Sequence, residues 1–549
     1  MWELDRSHYP GGTTPLSQWL MQGCTTSMRR AFEEFGMPAD TLEVRFVHGF
    51  MYTRLRPLIA PDRPPSKLPP LPILRLAVRL HPAMRRRARR AATTLRTRPW
   101  RRMVEEWSTT LRPRLEGDNA ALGAVDVSCL DDAGLASHLE RLLAYCRDNF
   151  ELHFYLHAFD LGPIGLLLAD CQRWGISAAE VVPALVGASP STSAPAATVA
   201  RLRRLVAASA TTPRDLGEVR AISPECATLL DDYLTRKGPM MVTRYDLDGL
   251  TLDEQPDVVL ATILEGAEGA DPAAEKARGS AVGAALRHRV PAPERARFDE
   301  RLGEARATMD LRDDNGPNTV ELPVGLLRRA LLEGGRRLRA AGRISLAEHV
   351  LELDAHEVVP LVRDGTGPGP AELARRAERR RQLATLEPPA RLGPEEPTPP
   401  LEVLAPAHRV LVGAIQALLV QLGMAAHETE QAGAALRGVG VGSAAYRGRA
   451  RVAHSPEEAV GAMEPGDVLV VRFTTPAYNT ILALAGALVT ADGSLLCHAA
   501  VMARELGIPA VIGAPGALRD IPEGAEVEVD PVAGLVRVVT DARRAEPVG

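Results

Sequence analysis

The stretch of this 549-residue chain best placed to do chemistry runs from Thr490 to Gly513. Apolar residues from Ile481 to Val489 lead into a glycine turn at Gly493. His498 then opens a segment whose apolar residues, Ala499, Val501, Met502 and Leu506, recur at helical spacing. Gly507 and Pro509 stop that helix, and Ala510 to Ile512 reads as the next strand. A histidine at a helix N-terminus faces unpaired backbone N–H groups and the positive end of the helix dipole. Such a place suits an imidazole that carries a phosphoryl group, because the phosphate oxygens find donors ready. An ordinary buried histidine at a cap fits the same spacing.

Two other groups have the right residue types. His153 and His157 lie four apart in a segment of helical periodicity and so share one helix face. They read as packed structural histidines, as a base facing a substrate, or as half of a metal site. A metal site needs a third ligand, and none is evident nearby in sequence, so no metal is expected. Arg312 and Asp313, followed by Asp314, either line a polar pocket or form a helix-breaking turn closed by Gly316-Pro317.

The elements that must hold these residues fall into two styles. Long helical patterns dominate up to about residue 390: Pro15 to Gly36, the region 131–177, and 293–358. Pro61 to Pro72 reads as a polyproline-like connector, and Ala188 to Thr212 as a flexible surface excursion around a short helix from Val199 to Ala207. The basic run from Met84 to Arg102 reads first as the solvated face of an amphipathic helix, and otherwise as a surface for a phosphate-rich ligand or a partner. Proline-rich sequence from Glu387 to Pro400 suits a semi-rigid hinge. From Arg437 onward, short strands alternate with glycine turns, Ser455 is a plausible N-cap, and Asp467 to Arg472 reads as a buried strand. The predicted partition is therefore a helical domain over 1–390, a hinge and connecting helix over 391–436, and a strand-rich domain over 437–549.

Composition narrows the function classes. With 65 basic and 69 acidic side chains the formal charge is −4, so nothing marks a nucleic-acid binder. Six scattered cysteines without CxxC spacing read as reduced thiols. No basic-then-apolar leader opens the chain, and no apolar run reads as a membrane span. A cytoplasmic protein with neither membrane nor nucleic-acid partner is expected.

The run Cys497-His498-Ala-Ala, then Ala503-Arg504-Glu505-Leu-Gly-Ile-Pro509-Ala-Val-Ile-Gly513, resembles the phosphohistidine (swivelling, or mobile) domain of the PEP-utilising enzymes, over roughly Gly438 to Val539. The opening Trp2-Glu-Leu-Asp-Arg-Ser-His8-Tyr-Pro10, with Val47-His-Gly-Phe-Met-Tyr52, resembles the start of the substrate domain of rifampicin phosphotransferase-like proteins. The resemblance implies a mainly α-helical substrate-binding domain followed by a β/β/α swivelling domain. It also implies that His498 takes a phosphoryl group and delivers it elsewhere. Around it, Arg504 is a candidate phosphate clamp, Thr490 a candidate to hydrogen-bond the ring and set its tautomer, and Cys497 a packing residue. Gly238, Tyr245 and Asp246 keep a family pattern and make Asp246 a pocket candidate, whereas Pro239 and Met240 replace an expected histidine and arginine. Ser494 replaces the second glycine of a pair, where it is expected to narrow the turn, and Leu496 replaces a hydroxyl residue.

These residues imply a phosphotransferase component acting on a hydroxyl of a small organic, natural-product-like substrate. The chain opens where the substrate domain opens and ends soon after Val539, so the expectation is that a separate ATP-grasp partner charges His498, that ATP and Mg2+ enter only with that partner, and that PEP is not the substrate. The alternative is an enzyme or binding protein for a small hydrophobic metabolite, for example a lyase or dehydratase, in which the phosphohistidine chemistry has been lost or repurposed.

Overall fold

Strand and helix patterning separate along the chain as the sequence predicts: a large helical N-terminal region is followed by a mixed-sheet C-terminal region. The computed structural model describes all residues except 6–7, 10–11, 63–66, 266–271, 423–434, 455–457, 460–461, 475–477, 483 and 541–549. The expected N-cap Ser455, part of the Pro61–Pro72 connector, and Pro10 lie outside the described residues. Two compact units emerge. The first comprises Met1–Leu166, Pro239–Leu250 and Leu311–Ile415; the second comprises Leu167–Gly238, Thr251–Asp310 and Gln416–Gly549. This division crosses the expected 1–390, 391–436 and 437–549 partition, because two helical stretches of the N-terminal region group with the C-terminal sheet.

In the first unit, four strands form an antiparallel sheet: β1 (Trp2–Asp5), β2 (Ala39–Val47), β3 (Phe50–Pro57) and β4 (Arg391–Leu392), in the order β2-β3-β1-β4. β2 and β3 are joined by the two-residue turn His48-Gly49, with φ of 52° and 78°. A hairpin turn with both central residues left-handed matches the twist of the strands, and glycine takes that conformation at least cost. The helix Pro15–Phe35 buries Leu16, Leu20, Cys24, Ala31 and Phe35 along one stripe and ends at Gly36, φ 75°. The helix Asp132–Arg173 is 42 residues long, and Leu135, Leu139, Leu142, Cys146 and Phe150 enter the core of the first unit with Leu327, Leu331 and Leu361.

Three elements differ from expectation. Part of the Asp132–Arg173 helix is long and apolar enough to cross a membrane, with mean hydropathy 1.3, although no such run was read from the sequence. Buried protein contacts cover 56% of that window, as in the core helix of a folded domain. The expected excursion at 188–212 contains the helix Pro190–Ala207; alanine-rich composition favours helix, and Pro190 fits its first turn. Gly316-Pro317 does not break the chain at Arg312–Asp314. The helix Arg295–Gly316 continues through a π-helical turn, Pro317–Glu321, into the helix Leu322–Ala340. The basic run behaves as read, in helices Pro82–Thr97 and Pro99–Glu106, except that Arg87 is buried beside Met84, Ala91 and Thr94.

In the second unit the strands are β5 (Leu436–Arg437), β6 (Val439–Val441), β7 (Tyr446–Ala453), β8 (Val468–Val471), β9 (Ala487–Thr490), β10 (Ala510–Ile512), β11 (Glu526–Asp530) and β12 (Leu535–Thr540). Their order is β5-β12-β11-β7-β8-β9-β10-β6. β7 through β10 run parallel, and the outer pairings are antiparallel. Parallel strands are buried on both faces and read as continuous apolar runs. Leu469, Val471, Leu488, Ala510 and Ile512 face one core, while Val468, Val470, Ala487, Val489 and Val511 face the other.

Candidate active site

In a parallel sheet the functional loops gather beyond the carboxyl ends of the strands. β8 and β9 are hydrogen-bonded neighbours, with Val471 opposite Thr490. The pairing extends beyond them, since Ala491 N–H donates to Val471 C=O at 3.0 Å and Asp492 N–H to Arg472 C=O at 2.7 Å. Thr474 follows β8 and His498 follows β9, so the two side chains meet over that edge. Thr474 Oγ1 lies 2.7 Å from His498 Nδ1.

His498 is the first residue of the helix His498–Leu506, with Cys497 as N-cap. Ala499, Ala500 and Ala503 press that helix onto the sheet, which fixes the direction of the ring. The ring as a whole is half-buried. Nε2 itself is sealed from solvent and has no hydrogen-bond partner among the described residues. Burial lowers the pKa of His498 from 6.5 to about 3, so the imidazole is neutral at physiological pH. With Nδ1 engaged by Thr474, Nε2 is the nitrogen whose lone pair is available.

The neighbours expected to help divide clearly. Gly493 has φ +117°, and a Cβ there would come within 2.9 Å of Cys497 Sγ and 3.1 Å of Ile512 Cγ2. Only glycine allows the turn to pass so close to the N-cap. Cys497 is half-buried, and burial raises its thiol pKa, as expected of a packing residue. Thr490 does not touch the ring. Fully buried, it donates to Asp492 C=O at 2.8 Å and accepts from Gly513 N–H at 3.2 Å, tying two loops together. Arg504 donates to Leu495 C=O in the turn before the histidine, so it braces that turn. Ser494 is not among the residues of positive φ, so it imposes no left-handed strain at the turn. Leu496 is buried and its N–H donates to Gln421 C=O at 2.8 Å. Thr475 to Ala477, which follow Thr474, lie outside the described residues.

In the first unit, His153 and His157 do meet on one helix face, with Nε2 to Nε2 at 3.2 Å. His157 Nδ1 lies 3.0 Å from Asp160 Oδ2, and Asp160 is fully buried. His153 Nδ1 lies 3.1 Å from Thr319 Oγ1, which in turn donates to Asn315 C=O at 2.5 Å. Burial, then His157 and His8, lower the pKa of His153 well below 6.5. Every ring nitrogen of the pair is thus engaged within the protein, which accounts for the pair without a substrate. The π-helical turn Pro317–Glu321 is what aims Thr319 at His153, and nothing in the sequence marked it. Among the described residues, no group of three or more His, Cys, Asp or Glu side chains is placed to hold a metal.

Asp246 is buried beside the helix Pro15–Phe35. Its carboxylate accepts Thr14 N–H at 2.9 Å and Thr14 O–H at 2.5 Å, at the start of the helix Pro15–Phe35. Burial, with Asp248 nearby, raises its pKa to about 6. Arg312 and Asp313 are 3.8 Å apart and mostly buried, and Asp314 lies 3.9 Å from Arg112. They belong to a helix interior and not to the turn that was one of their two readings.

Comparison with known proteins finds relatives of this chain. Residues 463–534 match the family described as "PEP-utilising enzyme, mobile domain". An uncharacterised protein of Mycobacterium tuberculosis is 35% identical over 224 residues, 41% of this chain and 23% of that protein. A phosphoenolpyruvate synthase of Aeropyrum pernix is 42% identical over 114 residues, 20% of this chain and 14% of the synthase. A rifampicin phosphotransferase of Streptomyces sviceus is 39% identical over 106 residues, 19% of this chain and 12% of the transferase. The chain thus spans less than a quarter of the length of these curated relatives. Its C-terminal sheet region contains a PEP-utilising enzyme mobile domain, a phosphohistidine domain whose presence implies phosphotransfer chemistry.

Proposed function

We propose that this protein is a phosphotransferase component in which His498 carries a phosphoryl group from an ATP-grasp domain outside these residues to a hydroxyl of a small organic molecule held by the helical region. The observation that carries this reading is the state of the His498 ring: neutral, with Nδ1 on Thr474 and Nε2 without a partner among the described residues, at the N-terminus of a helix. Nδ1–H donates to Thr474 Oγ1, which leaves the Nε2 lone pair to attack phosphorus as the P–O bond to the donor breaks. Backbone N–H groups of the first helical turn then face the transferred phosphate oxygens. In the second half-reaction an acceptor oxygen attacks phosphorus, the P–N bond breaks, Nε2 recovers its lone pair, and the acceptor's proton passes to a base. ATP and Mg2+ enter with the ATP-grasp domain, and such chemistry belongs in the cytoplasm.

The test is to incubate the protein with β- or γ-labelled ATP, with and without a candidate ATP-grasp protein, beside a His498→Ala variant. Acid-labile label on the parent and none on the variant is expected. Equal labelling of both, or no label on the parent beside a demonstrably active ATP-grasp protein, would sink the carrier reading.

A further inference from the structure

Between Asp62 and Glu105 the chain carries twelve arginines, one lysine and no acidic residue, although its formal charge as a whole is −4. Most of these basic residues lie on the helices Leu71–Leu80, Pro82–Thr97 and Pro99–Glu106 of the first unit. On the middle helix Arg85, Arg86, Arg89, Arg90 and Arg96 are exposed and share one face, away from the buried Met84, Ala91 and Thr94. Among the described residues, none of the five is paired with an acidic side chain. The arginine-rich helix Pro370–Ala384 is different, since Arg375, Arg376, Arg380 and Arg381 there each meet a glutamate.

Beside this charge the helix Leu71–Leu80 carries two apolar faces. Leu71, Leu74 and Val78 turn inward, onto a cluster with Met84 and Val403. Ile73, Leu76 and Leu80 repeat the same spacing on the outer face and are 58%, 57% and 60% exposed. Arg75 and Arg79 stand on the flank between them. A surface helix ordinarily presents polar residues outward, so this outer face is built to be covered. Only His81 separates this helix from the next. Val78 and Met84 share one cluster, so the apolar and the basic outer faces adjoin.

We infer that this face docks on an anionic lipid bilayer, with Ile73, Leu76 and Leu80 entering the boundary between headgroups and acyl chains and the arginines of Pro82–Thr97 lying among lipid phosphates. Charge of a single sign selects an anionic partner. The exposed apolar residues are all aliphatic and give the bases of a nucleic acid nothing to stack on. Three such side chains make too small a patch to anchor a partner protein, whereas a bilayer accepts a short basic helix lying in its interface. The expected absence of a membrane partner was read from the lack of a spanning run. A ten-residue helix, about 15 Å long, lies on a bilayer without crossing it. Docking of this kind goes beyond the carrier chemistry of His498 and does not depend on it.

The test is to sediment the whole chain with vesicles of phosphatidylcholine, alone or mixed with phosphatidylserine. Binding to the mixed vesicles that weakens with added salt, and little binding to phosphatidylcholine alone, is expected. Arg85→Gln, Arg86→Gln and Arg89→Gln combined should lower the affinity by about 100-fold. Leu76→Ser with Leu80→Ser should lower it by about tenfold. Both variants should keep the parent's thermal midpoint, because the substituted side chains are exposed. A Leu76→Cys thiol should be alkylated readily in the free protein and protected on mixed vesicles. Absence of binding to mixed vesicles at low salt, equal binding by the parent and either variant, or tighter binding to polyglutamate or RNA than to vesicles would overturn the assignment. So would a Leu76→Cys thiol already protected in the free protein, or a dimer of the parent that Leu76→Ser with Leu80→Ser dissolves, since the apolar face would then be covered by protein.

Discussion

At the scale of single residues, what distinguishes His498 is the contrast between its two nitrogens. Thr474 is a positioning residue, since it fixes which nitrogen carries the proton. Thr474→Val, which keeps the shape and removes the hydroxyl, should slow phosphorylation of His498 by about tenfold, the worth of one hydrogen bond. Thr474→Ser should restore most of the rate, a recovery that mere loss of packing would not show. The low pKa has a consequence for stability as well. The folded ring titrates near 3 and the ordinary value is 6.5. Its contribution is therefore complete above 6.5 and declines as pH falls toward 3, because the unfolded chain takes up a proton that the folded ring refuses. Urea midpoints should accordingly fall more steeply with acid in the parent than in His498→Gln. His498 itself was legible in sequence from its place before a helical run. Thr474 was not singled out, because the contact is made by adjacent strands and not by sequence spacing, and Thr490 looked equally suited until its hydroxyl was found between two loops.

At the scale of elements, the loop from β9 to the histidine helix is the most constrained piece. Gly493, at φ +117° and 2.9 Å from Cys497 Sγ for an added Cβ, is the one position there that admits no side chain. Gly493→Ala should destabilise the protein by about 1–3 kcal/mol, read as a lower urea midpoint, and should reduce labelling of His498 as the N-cap shifts. This loop was readable because its glycine and the flanking apolar strands follow local rules. The π-helical turn at Pro317–Glu321 was hidden for the opposite reason. Gly-Pro is a breaker by local rules, yet packing of Val320, Leu322 and Val324 kept the helix going with a widened turn.

At the scale of the whole chain, the first unit is assembled from segments far apart in sequence. Asp246 meets Thr14 across 232 positions, and Arg380 joins Gly12 C=O at 3.0 Å to Asp248 at 2.7 Å. Asp246→Ala strands a buried N–H at the start of a 21-residue helix. It should cost about 1–3 kcal/mol, seen as a lower thermal midpoint. The helical region was legible from its 3.6-residue periodicity, and the strand-rich region from short apolar runs set between glycine turns. The grouping of two helical stretches with the C-terminal sheet was not, because contacts between distant segments leave no periodic trace.

The line of contacts from Asp160 through His157, His153 and Thr319 to Asn315 ends in an acceptor on both sides. The Asp160 carboxylate accepts from His157 Nδ1–H, while Asn315 C=O takes the one proton of Thr319, whose oxygen in turn accepts from His153 Nδ1–H. Both rings therefore spend their Nδ1 protons outward. The polarity of the line reverses at its centre, where the two Nε2 atoms face each other at 3.2 Å, between the buried carboxylate of the helix Asp132–Arg173 and the backbone just before the π-helical turn.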